Sequence, residues 1–250
     1  MLVQTYFCPA IAVFCSFYIS MPNINVIIPA FNEEKSIAKV IGDIPKSLVS
    51  DIIVVDNNSA DNTFMEARQA GATALKEPRQ GYGQACLTGI AYALEKNTLN
   101  RPDILVFLDG DYSDYPQEMT RLVQPILENK ADLVIGSRAL GKREKGAMLP
   151  QQVFGNWLAT TLLRLFYGVR FTDLGPFRAI STDKLISLHM QDRTYGWTVE
   201  MQLKAARQKL RCTEVPVSYR KRIGHSKISG TLKGTFLAGY KIILTIFRYL

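Results

Sequence analysis

The sequence is poor in the residues on which cross-linked or metal-stapled folds depend. It has four cysteines in 250 residues, Cys8, Cys15, Cys86 and Cys212, with no C-x-x-C pair and no histidine partner nearby. That argues against a dense disulfide framework and against a structural zinc site, so a reducing compartment is the simpler expectation. Histidine is scarcer still: His189 and His225 are the only two, and each reads as structural or loop-borne rather than catalytic. There is no internal repeat. With 47% hydrophobic and 21% charged residues the chain is globular, and at this length it buries about three quarters of its unfolded surface without needing a cross-link.

Charge is missing from one end and acid from the other. Residues 1–20 contain no charged residue, and the first charge in the chain is Glu33. The segment lacks the basic start of a signal peptide and carries Pro9 mid-run, although about 20 apolar residues suffice to span a bilayer. It is expected to be a dispensable or mis-assigned extension before Met21 rather than an anchor. At the other end, residues 201–250 hold 11 Lys and Arg against the single acid Glu214. The overall net charge of +8 is therefore no nucleic-acid signature: residues 1–200 are slightly acidic, and the cations sit in the last fifth. There Thr231–Leu250 places Leu232, Phe236, Tyr240, Ile243 and Phe247 on one stripe, which predicts an amphipathic helix, packed on the domain or lying at a membrane surface.

What is present in the middle is a regular alternation. The runs INVIIPA (24–30), DIIVVD (51–56), ATALKE (72–77), DILVFLD (103–109) and ADLVIG (131–136) are short, β-branched and separated by helix-length segments. They predict an α/β fold with a mostly parallel sheet covered on both faces. Ligands of such sheets bind beyond the carboxyl ends of the strands, and those ends are polar here. PAFNEE follows the first strand, DNNSADNT contains the end of the second, DGDYSD that of the fourth, and GSR follows the fifth.

Asp109 and Asp111 flank Gly110 at the end of an apolar strand, where two carboxylates repel unless a cation joins them. Magnesium or manganese, held by one or two carboxylates plus substrate phosphates, is the economical partner. An isolated D-x-D more often caps a helix; the other polar strand ends reverse that preference. Asp56 ends the second strand as the acids of nucleotide sites do. Asp61 or Ser59 is expected to cap the helix starting near Asn62. Glu33 and Glu34 also suit a helix start. Gly81 and Gly83 allow backbone N–H groups to approach a phosphate, a weak signal by itself. The run Tyr219–Lys227 carries four bases and suits a loop closing over a diphosphate or an anionic lipid head. Arg138 and Arg178 offer further guanidinium forks for phosphate.

Together, VIIPAFNEE, VVDNNSADNT, FLDGDYSDYP and IGSR resemble the family-2 glycosyltransferases of the GT-A fold. GPFRAI, YGWTVEMQ, EVPVSYRKR and GHSKISG narrow the resemblance to the dolichyl- and polyprenyl-phosphate mannose or glucose synthase branch, over about residues 24–235. The resemblance implies a GT-A domain at 21–230 and a membrane-associated helix at 231–250. It implies a nucleotide-sugar pocket of Pro29, Phe31, Glu33, Asp56, Asn58, Gly81, Gly83, Asp109, Gly110 and Asp111. By it, Arg138, Arg178, Arg222, Ser226 and Lys227 meet donor or acceptor phosphates, with Asp109, Asp111, Arg138 and Arg222 as the catalytic set. Two departures stand out. Ser113 occupies the place where some relatives carry a metal-binding Gln, and so joins Asp109 and Asp111 as the third candidate for Mg2+ or Mn2+. Pro176 replaces an acid before Phe177 and Arg178, leaving Asp173 as the nearest acid to that loop.

The expected activity is the inverting transfer of one sugar from a nucleotide diphosphate sugar, UDP-glucose or GDP-mannose in type, to a polyprenyl phosphate. The expected setting is peripheral, at the cytoplasmic face of a membrane, with no nucleic-acid partner. The Q-x-x-R-W signature of processive synthases is absent. A hydroxyl acceptor is the alternative, for which Glu200 and Asp173 are the candidate bases. Tyr195 and Trp197 suggest acceptor stacking, although a Trp before a helix is more often core. A nucleotidyltransferase would need a glycine-rich basic turn where this chain has PAFNEE, and a non-catalytic membrane scaffold would have no use for intact aspartates.

Overall fold

The computed structural model describes residues 22–95, 101–224 and 232–249, the last segment by its backbone alone at 232–236 and 238. Seven strands form one sheet: β1 (Ile24–Ala30), β2 (Asp51–Asp56), β3 (Thr73–Lys76), β4 (Ile104–Phe107), β5 (Leu133–Ser137), β6 (Arg178–Ser181) and β7 (Cys212–Pro216). Their order is β3-β2-β1-β4-β6-β5-β7. All neighbours pair in parallel except β6, which runs antiparallel to both β4 and β5. The first five strands lie where the apolar runs predict them. The last two were missed, because β6 is four residues long and begins with an arginine, and β7 (CTEVP) is half-buried at the sheet edge and carries little apolar signal.

Strand β1 shows how the sheet is covered. Its alternating side chains point to opposite faces, so Ile27 joins one core while Val26 and Ile28 join the other. The second core is closed by α1 (Ile37–Asp43), α2 (Thr63–Gln69) and α4 (Met119–Leu127), through Ile37, Ile41, Ala67, Leu122 and Val123. The first is closed by α3 (Tyr82–Glu95), α5 (Pro150–Tyr167), α6 (Thr182–Leu188) and α7 (Trp197–Arg207). Trp197 is fully buried there, its ring 4.7 Å from that of Phe107, and is core rather than acceptor platform. The last helix, α8 (Leu232–Arg248), packs on α5 and α7, with Ile246 buried and its carbonyl accepting a hydrogen bond from the Tyr167 hydroxyl.

Candidate active site

The carboxyl ends of β1, β2 and β4 surround a cavity of about 370 Å³. Pro29, Ala30, Phe31 and Glu33 line it from the first loop, Asn57 from the second, Gln80–Tyr82 from the start of α3, and Asp109–Asp111 from β4; Tyr195 and Arg222 close it. A larger depression of about 630 Å³ lies at the amino-terminal ends of the strands, beside Asp103, Asp132 and Arg211. Arg211 pairs there with Asp132 at 2.7 Å, and the depression lies away from the loops that carry ligands in such sheets.

Local hydrogen bonds fix the first loop. Asn32, in the left-handed region at φ 53°, reverses the chain after β1. Its N–H donates to Ser59 Oγ, its Oδ1 accepts the Ala60 N–H, and the Glu33 N–H donates to Thr63 Oγ1. Ser59 and Asp61 thus stitch the second loop to the first, Asp61 by accepting the Glu34 N–H, instead of simply capping α2. Glu33, 7% exposed, accepts the Ser36 hydroxyl at 2.8 Å and Arg222 Nη2 at 3.2 Å.

The Asp109–Asp111 turn is organised just as closely. Tyr112 takes φ 64°, and both the N–H and the hydroxyl of Ser113 donate to Asp111 Oδ1. Arg222 Nη2 stands 3.1 Å from Asp111 Oδ2, and the Tyr82 hydroxyl donates to Asp109 Oδ1 at 3.0 Å. Burial, then the neighbouring charge of Asp111, pushes the Asp109 carboxyl up to about 7. Asp111 already shares the Arg222 guanidinium with Glu33, so the aspartate pair is short of positive charge.

Arg222 is delivered by a clamped segment after β7. The Tyr219 N–H donates to the Lys142 carbonyl and the Glu144 N–H to the Tyr219 carbonyl, while the N–H groups of Arg220 and Ile223 donate to the carbonyls of Ser113 and Asp111. The Arg220 guanidinium lies 3.3 Å from the Tyr112 ring centroid and 4.3 Å from that of Tyr115, and its Nε donates to the Tyr112 carbonyl. Both sides of the aspartate turn therefore hold the segment that carries Arg222.

Comparison with known proteins agrees with this geometry. The family model described as "Glycosyl transferase family 2" matches residues 25–188. The chain belongs to that family. The glycosyltransferase is 33% identical to an uncharacterized glycosyltransferase of Mycobacterium bovis, over 86% of this chain and 94% of the relative. It is 30% identical to the undecaprenyl-phosphate mannosyltransferase of Micrococcus luteus, over 83% and 88% of the two chains. Its fold is similar to that of glucosyl-3-phosphoglycerate synthase from Mycobacterium tuberculosis, solved with Mn2+, UDP-glucose and phosphoglyceric acid: TM-score 0.71, 23% identity, covering 91% of this chain and 79% of that one.

Several residues that the sequence assigned to the site of this glycosyltransferase are employed elsewhere. Arg138, expected at a phosphate, is paired with Asp173: Nε donates to Oδ2 at 2.8 Å and Nη2 to Oδ1 at 2.7 Å, and Tyr219 covers the guanidinium. Arg178, also expected at a phosphate, is fully buried and donates to the carbonyls of Leu174, Gly175 and Thr198; burial lowers its pKa to about 10. Ser113, the third metal candidate, donates to Asp111 and does not line the cavity. Gly81 lines the cavity and Gly83 does not, and both are also packed closely: a Cβ would stand 2.2 Å from the Arg193 carbonyl oxygen at Gly81 and 2.1 Å from that of Asp192 at Gly83. The N–H groups of Gly83 and Gln84 donate to the carbonyls of Thr194 and Arg193.

Asp56 and Asn58 also stand outside the lining: Asp56 is 5% exposed and accepts the Ser59 N–H, and Asn58 is an exposed residue at φ 66°. Neither candidate base is available. Asp173 is 1% exposed and held low, Arg138 overcoming its burial; Glu200 is fully buried and accepts Lys204, the Tyr249 hydroxyl and the N–H groups of Gln191 and Asp192. Ser226, Lys227, His225 and the first twenty residues lie outside the described residues.

Four lining residues, Ala30, Asn57, Gln80 and Tyr82, had gone unassigned. Asn57 accepts the Gly81 N–H at 2.7 Å and donates to the carbonyls of Glu77 and Arg79, holding the loop that presents Gln80 and Tyr82. The available signal was their setting: a strand end for Asn57, and a glycine-flanked tyrosine opening a helix for Tyr82.

Proposed function

We infer that the protein transfers one hexose from a nucleoside diphosphate sugar to a polyprenyl phosphate, with inversion, at the cytoplasmic face of a membrane. The observation that carries this is the convergence of Glu33, Asp109, Asp111 and Arg222 on one cavity at the strand ends. The relatives support the acceptor class: one is named undecaprenyl-phosphate mannosyltransferase, and another, 30% identical over 78% of this chain and 84% of its own, is a dolichyl-phosphate N-acetylglucosaminyltransferase of Methanococcus voltae.

The donor set fits a hard divalent cation. Among the described residues no three acids, histidines or cysteines gather as a closed cage, and two carboxylates open to a cavity suit Mg2+ or Mn2+ completed by phosphate oxygens. Asp109 and Asp111 would hold the ion. When bound, it neutralises charge on the departing diphosphate.

The protein's own groups do the rest. Arg222 supplies a second, permanent positive charge beside the aspartates, and Ser113 and Tyr82 orient the two carboxylates. A lipid phosphate favours this site over a hydroxyl acceptor because it is ionised near neutral pH, its second pKa being about 6. It needs no base, and among the described residues the cavity has no carboxylate beyond the aspartates and the Arg222-paired Glu33. A single displacement from the face opposite the leaving diphosphate inverts the anomeric carbon.

The test is incubation with a panel of labelled nucleotide sugars, Mg2+ or Mn2+ and polyprenyl phosphate, followed by extraction into organic solvent. Label in the lipid phase is expected, and loss of it in Asp111→Ala with an unchanged fold. Label appearing only in water-soluble product would remove the lipid acceptor, and full activity of Asp111→Ala would remove the metal assignment.

A further inference from the structure

The turn between α6 and α7 reaches the cavity at Tyr195, and one acid sets its shape. Asp192 Oδ1 accepts the N–H of Thr194 at 2.8 Å, the N–H of Gly196 at 3.2 Å and the Thr194 hydroxyl. An aspartate that collects backbone donors two and four residues ahead closes a turn that backbone bonds alone would leave open. The N–H groups of Gln191 and of Asp192 itself donate to the buried Glu200 of α7.

The last helix holds this acid in place. Lys241 Nζ of α8 stands 3.1 Å from Asp192 Oδ2, the two side chains being 32% and 8% exposed. One helical turn later, Thr245 is buried against Gly196, where a Cβ would stand 2.6 Å from both Thr245 Oγ1 and Asp192 Oδ2. The Tyr249 hydroxyl, just beyond α8, donates to Glu200 at 2.8 Å. Both acids that shape the turn are therefore bonded to the end of the chain.

At the cavity the turn supports two side chains. It carries Tyr195 in the lining, three residues after Asp192. It also caps α3: the carbonyls of Arg193 and Thr194 accept the N–H groups of Gln84 at 2.9 Å and Gly83 at 3.3 Å. Such donors at a helix start have no partner within the helix. The first residue of α3 is Tyr82, whose hydroxyl donates to Asp109. A continuous series of contacts thus runs from Lys241 through Asp192 and the turn to one acid of the aspartate pair. Neither Asp192 nor Lys241 lines the cavity, so their part in binding is indirect.

We propose that Asp192, fixed by Lys241, is a positioning residue for the sugar nucleotide: it holds Tyr195 at the cavity wall and Tyr82 on Asp109, and so makes α8 part of the donor site. The proposal rests on the nucleotide-sugar reading for its ligand and is independent of the acceptor.

Hydrogen exchange, together with calorimetry against a panel of UDP- and GDP-sugars in Mn2+, tests it on the full-length protein. Asp192→Ala is expected to speed exchange at the Gly83 and Gln84 amides and to raise the donor Kd by about tenfold, with the binding stoichiometry unchanged. Lys241→Met is expected to raise Kd by about threefold, as befits a partly exposed ion pair, and Lys241→Arg to restore it. Should Asp192→Ala not fold, the two Lys241 variants give the same readings. Variants that bind with the wild-type Kd overturn the proposal, and so do Gly83 and Gln84 amides that exchange at the wild-type rate. Fewer sites per mole at the wild-type Kd also overturn it, because that is loss of folded protein alone. A wild type that binds none of the sugar nucleotides overturns the donor reading and the proposal together, whereas tight wild-type binding with unaltered variants overturns the proposal and leaves the donor reading standing.

Discussion

Arg222 Nη2 lies 3.1 Å from Asp111 Oδ2, so a guanidinium from the basic end of the chain sits against the second acid of the aspartate turn. The same nitrogen reaches Glu33 at 3.2 Å. One cation thereby joins the ends of β1 and β4, and whatever displaces it from Asp111 must bring positive charge of its own.

Removing that guanidinium takes a charge-assisted contact from the site. Such contacts are worth roughly 1.5–3 kcal/mol, so Arg222→Ala is expected to lower kcat/KM by about 10- to 100-fold. Arg222→Lys restores only part, because an ammonium lacks the planar fork that reaches two acids. Steady-state kinetics check this, with a melting temperature close to wild type.

The Arg138–Asp173 pair, 12% and 1% exposed, is a matter of stability. Asp173→Ala leaves a guanidinium without its counter-ion and is expected to cost about 3–5 kcal/mol in chemical denaturation. Arg138→Met combined with Asp173→Leu recovers most of that loss, since an apolar pair strands no charge.

At Gly83 a Cβ would strike the Asp192 carbonyl oxygen at 2.1 Å, whereas at Gly110 the nearest atom is 3.5 Å away. Gly83→Ala is therefore expected to cost about 1–3 kcal/mol and to displace the loop leading to Tyr195 at the cavity, raising KM for the donor. Gly110→Ala is expected to melt within a few degrees of wild type. Thermal unfolding and donor kinetics of the two variants make the comparison.

Glu77 predicts a pH effect. Burial works to raise its pKa, but hydrogen bonds from Thr88, Gln84 and the Arg79 N–H overcome that and hold the carboxyl at about 2, below its ordinary 4.5. A depressed folded-state pKa contributes stability that is complete above 4.5 and is lost as the pH falls toward 2. Glu77→Gln is expected to unfold more easily at neutral pH, by on the order of 1–3 kcal/mol, and the gap to wild type should close across that acid window. Melting curves of both proteins at falling pH measure it.

The acids of the site were legible in the sequence and most of its cations were not. Asp109, Asp111 and Glu33 follow apolar strands directly, and a residue just beyond a buried parallel strand has little choice but to stand at the rim. Arg138 and Arg178 also adjoin strands, yet their long side chains turned inward, one to a carboxylate and the other to three carbonyl-bearing residues. Nothing in their local sequence distinguishes that outcome from a phosphate contact. Gly83 is similar: the sequence shows the glycine, but not that the Asp192 carbonyl oxygen leaves no room there for a side chain.

Sequence alone determined the alternation of strand and helix, the covered parallel sheet, the aspartate turn and the placing of basic residues at the end of the chain. Those features depend on periodicity and composition, which are local. Only the tertiary structure decided that β6 runs antiparallel, that Arg222 among the bases reaches Asp111, and that α8 packs on α5 and α7. Each depends on contacts between residues far apart in the chain, where pairing and burial follow from which surfaces the fold brings together.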